Sequence, residues 1–364
     1  MIFPATKKKG IVLIRLDAIG DFVIWSHAAA EYRQHYKNEK ITLIANLIWS
    51  DLATQLPYWD EVWPIDSERF NKKILYRWSI IRKVSKAGFR IAIQPTYSRI
   101  MLKGDSIIRA TCAEQRIGSV GDLSNITKLR KHIADGWYTK LVPSSLSLTE
   151  LERNSDFSNH LFGISVSSQL RTFPRFTIQY EVWQEKIQKQ YVILFPGASK
   201  PIRQWPVRRF SEIANELYLN YGFQSIVCGA ANEEELCQKV CGEIKAGAIN
   251  LAGKTSLPAF AELVRNARLL IGNETSAIHI AAAVNTPSVC ITGGGHYGRF
   301  VPYPSNIIGI GPSVVVYPMS CFNCNWQCTQ PHDPKGEAPC IENIIVEQVL
   351  KVALQIILQD VHAS

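Results

Sequence analysis

Leu269-Leu-Ile-Gly-Asn-Glu-Thr-Ser-Ala-Ile-His-Ile-Ala-Ala-Ala-Val284 runs from an apolar strand, through a turn, into a small-residue helix. Residues 269–271 are short and apolar enough for a buried strand, Gly272 breaks the run, and residues 276–284 read as helix. A second apolar run, Ser288-Val-Cys-Ile291, follows. The same alternation extends outward. Upstream lie strand runs at 191–195, 225–228 and 248–251, with helices expected over 209–221, 233–245 and 257–266. In the first half, Ile11-Val-Leu-Ile-Arg-Leu16 is punctuated by Gly20-Asp21 and followed by a helix over 22–36. Further strands fit 41–45 and 91–94, with a helix from about 72 to 87. Strands alternating with helices from end to end predict an α/β chain with parallel sheets.

The chain has 364 residues, which suits two domains of about 150–200 residues each. The sheet pattern lapses between 143 and 190, where Ser, Asn, Gln and aromatic residues collect, so the junction belongs there. The expected division is residues 1–180, residues 181–344, and a closing helix in 345–364. That last helix is read as core packing, because it carries little positive charge to hold anionic lipid. No apolar stretch of leader length follows the lysines at 7–9, and no run is long enough to span a bilayer. The expectation is a soluble, cytoplasmic protein.

The charge is uneven. Residues 1–180 hold 26 Lys and Arg against 16 Asp and Glu, a net of +10, while residues 181–364 have a net of −1. An anionic partner for the first half fits this asymmetry: a phosphorylated acceptor, an anionic membrane surface or nucleic acid. The competing reading is a solvated surface with no partner.

Open parallel sheets bind ligands beyond the carboxyl ends of their strands, which directs attention to four loops. After 191–195 comes Pro196-Gly-Ala-Ser199, then Lys200 and Arg203, two cations suited to a phosphate or to an ordinary surface turn. Leu251-Ala-Gly-Lys254-Thr255-Ser256 offers Lys254, but also reads as a simple helix cap. In the third loop, Thr275 and Ser276 open a helix whose free N–H groups suit a diphosphate. There Glu274 can accept from sugar hydroxyls, and His279 sits one turn inside, either packed in the core or facing the ligand. In the fourth, Asp21 follows the first strand and is placed either as a general base or as a helix cap, with Asp17 as a competitor.

Taken in order, these motifs resemble glycosyltransferase family 9, the ADP-heptose heptosyltransferases that build lipopolysaccharide and related glycans. The resemblance rests on Ile-Gly-Asp21, Pro-Gly-Ala-Ser199, Arg203-Gln-Trp-Pro206 and Leu-Ala-Gly-Lys-Thr-Ser-Leu257. It continues with Gly272-Asn-Glu-Thr-Ser-Ala-Ile-His279, the alanines and Pro287 beyond, and Gly293-Gly294, while Arg116-Ile-Gly118 resembles part of the acceptor half. The resemblance covers residues 10 to 345. It implies a GT-B architecture of two Rossmann-like domains facing a cleft, the acceptor on the N-terminal one and the donor on the C-terminal one. It also implies an inverting, single-displacement transfer that needs no donor-bound metal or other cofactor. Asp21 then matches the base. Arg203 stands where the family usually has a Lys that neutralises the leaving diphosphate, and Glu274 where many members carry Asp. Ser199, Lys200, Lys254, Thr275, Ser276 and His279 complete the implied donor set. Arg99 and Lys103 are the candidate acceptor contacts, the acceptor being an anionic saccharide or glycolipid. Peripheral contact with the inner membrane surface fits such an acceptor.

Of nine cysteines, Cys228 and Cys290 lie in strand runs and read as inert. Cys321, Cys324, Cys328 and Cys340 are clustered as Cys-x2-Cys-x3-Cys-x11-Cys. Four thiolates suit a structural zinc or iron; the other reading is four reduced thiols. The readings that compete with heptose transfer are another nucleotide sugar, a sugar-nucleotide epimerase on the same fold, and a basic nucleic-acid-binding protein with a zinc module. Nucleic acid is the least expected, since the basic half shows no recognition motif.

Overall fold

Ile11–Arg15 (β1) buries five side chains in a row, as a central parallel strand covered on both faces must. Around it the chain builds α1 (Ile19–His35), β2 (Ile41–Asn46), α2 (Ser50–Thr54), β3 (Glu61–Ile65), α3 (Ser67–Lys72) and α4 (Ile74–Lys86). Then come β4 (Ile91–Gln94), α5 (Ser106–Ala110), β5 (Gln115–Ser119), α6 (Lys128–Asp135), β6 (Lys140–Val142) and α7 (Glu150–Phe162). This computed structural model describes residues 8–145, 147–179 and 182–361. The expected leaderless start at residues 1–7 and the last residues of the closing segment, 362–364, lie outside the described residues.

The first sheet is parallel throughout, in the order β3-β2-β1-β4-β5-β6. Ile11 stands opposite Ile41 on one side and Ile91 on the other. Phe22 and Trp49 stack at 4.0 Å between ring centroids, and Trp25 and Trp59 at 6.0 Å, sealing α1 and the segment after β2 onto the sheet. The segment read as a lapse contains α7, started by a capping box between Thr149 and Glu152 and ended by left-handed Gly163. It packs along α1.

Tyr191–Phe195 (β7) begins the second sheet. It is followed by α8 (Val207–Tyr221), β8 (Gln224–Val227), α9 (Glu234–Glu243), β9 (Ala248–Asn250) and α10 (Leu257–Arg265). Then come β10 (Leu269–Asn273), α11 (Ser276–Ala283), β11 (Ser288–Ile291), β12 (Ser313–Val315), α12 (Pro339–Glu342) and α13 (Val346–Val361). All pairings are parallel, in the order β12-β11-β10-β7-β8-β9. Val349, Ala353 and Ile357 of α13 share one helical face and are buried in the core of this sheet, so the closing helix belongs to this unit.

The two compact units divide between Ser168 and Gln169, whereas the sequence reading drew the line at 180/181. Residues from 169 onward belong with the second unit for a visible reason: Phe173 N–H donates to Ala283 O (2.7 Å) and Phe176 N–H to Glu262 Oε1 (2.9 Å). Among the described residues no helix is long and apolar enough to cross a membrane.

Candidate functional site

In each sheet, strand order reverses direction at one place: between β1 and β4 in the first, between β7 and β10 in the second. Loops leaving adjacent strands to opposite sides open a crevice at such a point. The sequence-predicted residues Ser199, Lys200, Arg203, Glu274, Thr275 and Ser276 fall at the second reversal. Asp21, Arg99 and Lys103 fall at the first.

At the β7–β10 reversal the fixed centre is Asn273, fully buried. Its Nδ2 donates to Pro196 O (2.7 Å) and Gly197 O (3.3 Å), and its Oδ1 accepts from Trp205 N–H (3.0 Å). This holds the turn after β7 against the end of β10. Arg203 reaches back across the join: Nη1 donates to Ser199 Oγ (3.1 Å) and Nη2 to Glu274 O (3.1 Å), with the Glu274 carboxylate 3.4 Å away. The Arg203 side chain is 20% exposed, so part of the guanidinium still meets solvent. Glu274 is buried and also accepts from Thr292 Oγ1 (3.0 Å). Burial pushes its carboxyl above the usual carboxylate range, against the pull of Arg203. Thr275 is the residue before α11; its side chain does not cap the helix, and its buried Oγ1 has no hydrogen-bond partner among the described residues. Ser199 and Lys200 are exposed.

Two predicted members sit apart from this cluster. His279 is buried, with Nδ1 2.8 Å from the Tyr303 hydroxyl and its ring nearly parallel to Tyr303, which fits the packed-residue alternative. Lys254 follows the edge strand β9 and is half exposed, bound to Asn250 O (3.3 Å) and near Glu234 (3.4 Å). Ser256 in the same loop caps α10 through Ala259 N–H (3.3 Å).

In the first unit Asp21 is the third residue of α1; Ala18 occupies the cap position, so Asp21 is inside the first turn rather than a cap. Asp17 lies deeper. It pairs with Arg15 Nε at 2.7 Å, and burial holds its carboxyl above the ordinary range. Asp17, Gln94, Thr96, Ser98 and Lys103 line a pocket of about 70 Å³ at the β1–β4 reversal. Arg99 does not line it. Only 1% exposed, Arg99 pairs with Asp135, lies 3.6 Å from Asp105 and stacks on Tyr138 at 4.7 Å. Its charge is matched inside the unit, so of the two acceptor candidates only Lys103 is presented at the pocket.

Cys321, Cys324 and Cys328 belong to the segment between β12 and α12, and Cys340 to α12 itself. Cys340 is buried and its Sγ accepts from Gly294 N–H (3.4 Å); Cys321, Cys324 and Cys328 are part-buried. Burial raises the Cys340 thiol first, and the proximity of the other three raises it further. Four sulfurs gathered this way are a thiophilic donor set, yet among the described residues no three His, Cys, Asp or Glu side chains converge as an ion site. The lobe is pressed onto the turn after β11: Asn323 N–H donates to Gly294 O (2.6 Å) and Asn325 N–H to Gly295 O (3.0 Å). Trp326 lies over Arg203, 5.1 Å from guanidinium carbon to ring centroid.

The family model described as glycosyltransferase family 9 (heptosyltransferase) matches residues 77–326. The chain belongs to glycosyltransferase family 9. The lipooligosaccharide heptosyltransferase 2 of Haemophilus influenzae is 31% identical over 122 residues, 30% of this chain and 35% of the relative. The aligned stretch thus spans about a third of the length of the curated relatives it matches. The fold extends further: the structure of E. coli ADP-heptose lps heptosyltransferase II superposes with a TM-score of 0.69 at 19% identity, covering 96% of this chain and 99% of that one. The iron-containing dodecameric heptosyltransferase TibC, in complex with ADP-D-beta-D-heptose, superposes at 0.57 with 14% identity, covering 97% and 77%.

Within this family 9 chain, sequence reasoning missed two residues at the β7–β10 reversal. Glu233, just before α9, lies against the Pro-Gly-Ala-Ser turn: a Cβ on Gly197 would come within 2.3 Å of its carboxyl oxygens. The signal was available in Gly229 at the end of the β8 segment, with an acid a few residues later. Trp326 carried no signal of its own, since an aromatic set between clustered cysteines reads as part of their loop.

Proposed function

We propose that this chain is an inverting glycosyltransferase that moves heptose from ADP-heptose to a saccharide acceptor in lipopolysaccharide or related surface-glycan biosynthesis. The observation that carries the reading is Arg203, held at the β7–β10 reversal by Ser199 and Glu274 next to the start of α11. A guanidinium beside free helix N–H groups suits a diphosphate, and the names of the related heptosyltransferases point to ADP-heptose. In the reaction the acceptor oxygen attacks the anomeric carbon as the bond from that carbon to the diphosphate oxygen breaks. Asp21 takes the hydroxyl proton, and Arg203, with Lys200 and the α11 N–H groups, stabilises the charge gathering on ADP. Glu274 and Glu233 are suited to accept from donor hydroxyls, and Lys103 to meet an anionic acceptor. A thermal-shift panel of nucleotide sugars with the full chain tests this. ADP-heptose and ADP should raise the melting temperature, and Arg203→Ala should remove the shift. Selective stabilisation by another nucleotide sugar would replace the donor, and stabilisation by DNA alone would overturn the reading.

The working place of the enzyme on this reading is the cytoplasmic side of the inner membrane. Support comes from α4. Ile74, Leu75 and Trp78 are 75%, 80% and 59% exposed, and residues 69–90 contain no acid. Apolar side chains amid basic ones suit an anionic bilayer surface. The four clustered cysteines would hold a structural zinc or iron, as the donor chemistry and the iron-containing relative suggest. Metal analysis of purified protein should find about one ion per chain, lost in Cys324→Ser.

A further inference from the structure

A cation that receives a leaving diphosphate works best when its planar fork is already aimed, since ordering a long side chain at the moment of reaction forfeits part of the gain. The edges of the Arg203 fork are held by Ser199 Oγ and by Glu274 through its backbone oxygen. Those contacts fix two nitrogens and leave the tilt of the plane free. The guanidinium carbon lies over the ring of a residue from outside the strand-end loops: Trp326, in the midst of the cysteine lobe, 5.1 Å from the ring centroid.

Trp326 is held more firmly than a surface aromatic needs to be. Its backbone φ is +60°, with Asn323 at +67° and Asn325 at +53°, a conformation that bulky residues rarely adopt unless their surroundings require it. Its indole packs against the glycine turn: a Cβ added at Gly295 would stand 2.3 Å from the ring, and one added at Gly293 would stand 3.1 Å from its outer edge. Asn323 and Asn325 clamp the loop to Gly294 and Gly295, His296 meets Asn325 Oδ1 at 2.6 Å, and Cys340 Sγ holds Gly294 N–H. The same turn follows Thr292, which bonds Glu274. The lobe, the turn and Arg203 are therefore one packed unit.

We propose that Trp326 is a positioning residue for Arg203: its ring face sets the tilt of the guanidinium toward the donor diphosphate, and the cysteine lobe serves as its mount. The inference rests on the donor reading of Arg203. A cation over an indole is stabilised by the negative ring face, enough to change affinity by about threefold to thirtyfold when partly desolvated.

The test is a double-mutant cycle on the full chain, reading ADP affinity by calorimetry and KM and kcat for the donor. Arg203→Ala should weaken ADP by tenfold or more. Trp326→Ala should weaken ADP and raise the donor KM by about fivefold to tenfold, with the acceptor KM unchanged. Trp326→Phe should restore most of the loss. Placed on Arg203→Ala, Trp326→Ala should add nothing further. A residue that only fills the lobe would weaken ADP equally in both backgrounds, and that result overturns the inference. So does unchanged ADP affinity in Trp326→Ala when Arg203→Ala loses it. If Arg203→Ala itself binds ADP normally, the donor reading fails and the inference falls with it, a distinct outcome. Should Trp326→Ala disorder the lobe, Gly295→Ala displaces the indole by its new Cβ and must reproduce the same dependence on Arg203.

Discussion

At the level of single residues, the two acids near β1 do different things. Asp17 is part-buried and paired with Arg15, while Asp21 stands in the first turn of α1 without capping it. Asp21→Ala should lower kcat by two to four orders of magnitude, the usual contribution of a general base, and leave ADP affinity within about twofold in calorimetry. Retained transfer would move the role to Asp17. Glu274 gives a second handle. Its carboxyl is held above the ordinary range by burial, so the folded chain binds that proton more tightly than the unfolded one. The resulting stability is present below about pH 4.5 and is lost as pH rises through the folded value. Glu274→Gln should therefore gain on the wild type in urea midpoints as pH rises from about 4.5 toward neutrality. A gain toward acid pH instead would mean that pairing with Arg203 outweighs burial. The places of Asp21, Arg203 and Glu274 at the two strand-order reversals were legible in the sequence because they follow strand ends. Arg99 was not, since a buried arginine and a ligand-binding one look alike until Asp105, Asp135 and Tyr138 are seen around it.

Among the elements, legibility followed burial. Strands in the middle of each sheet, such as β1, β7 and β10, are apolar on both faces and stood out as runs. Of the edge strands, β9 was read at 248–251, but β3, β6 and β12 were not, being short or part-exposed; β3 even tolerates Pro64, as an edge can. The helix expected over 72–87 is α4; the short α3 before it was not anticipated, and the two are separated at Lys73, whose backbone is extended. That break presents Ile74, Leu75 and Trp78 at the start of α4. In sedimentation with vesicles of phosphatidylglycerol and phosphatidylcholine, Leu75→Ser with Trp78→Ser should reduce binding about tenfold or more. Neutral phosphatidylcholine vesicles should bind the wild type poorly. Equal binding by wild type and variant would show that α4 is not the contact.

For the whole molecule, the division of labour should be visible by hydrogen exchange. ADP should protect residues 196–203 and 274–279 and leave 11–46 and 91–105 unchanged; an anionic acceptor saccharide should do the reverse. Protection of both sets by ADP alone would contradict the assignment of donor and acceptor to separate units. The junction was harder to read, since residues 169–179 have little regular structure of their own and are tied to the second unit by bonds to Glu262 and Ala283 that span about 90 or more positions. The lobe after β12 was legible only as a spacing of cysteines. Its companion is the run Gly293-Gly294-Gly295, where an added Cβ would strike Cys340 and Ile341, Phe322, and Trp326 in turn. A saturation library selected for transfer should consequently return three adjacent positions, 293–295, that accept glycine alone.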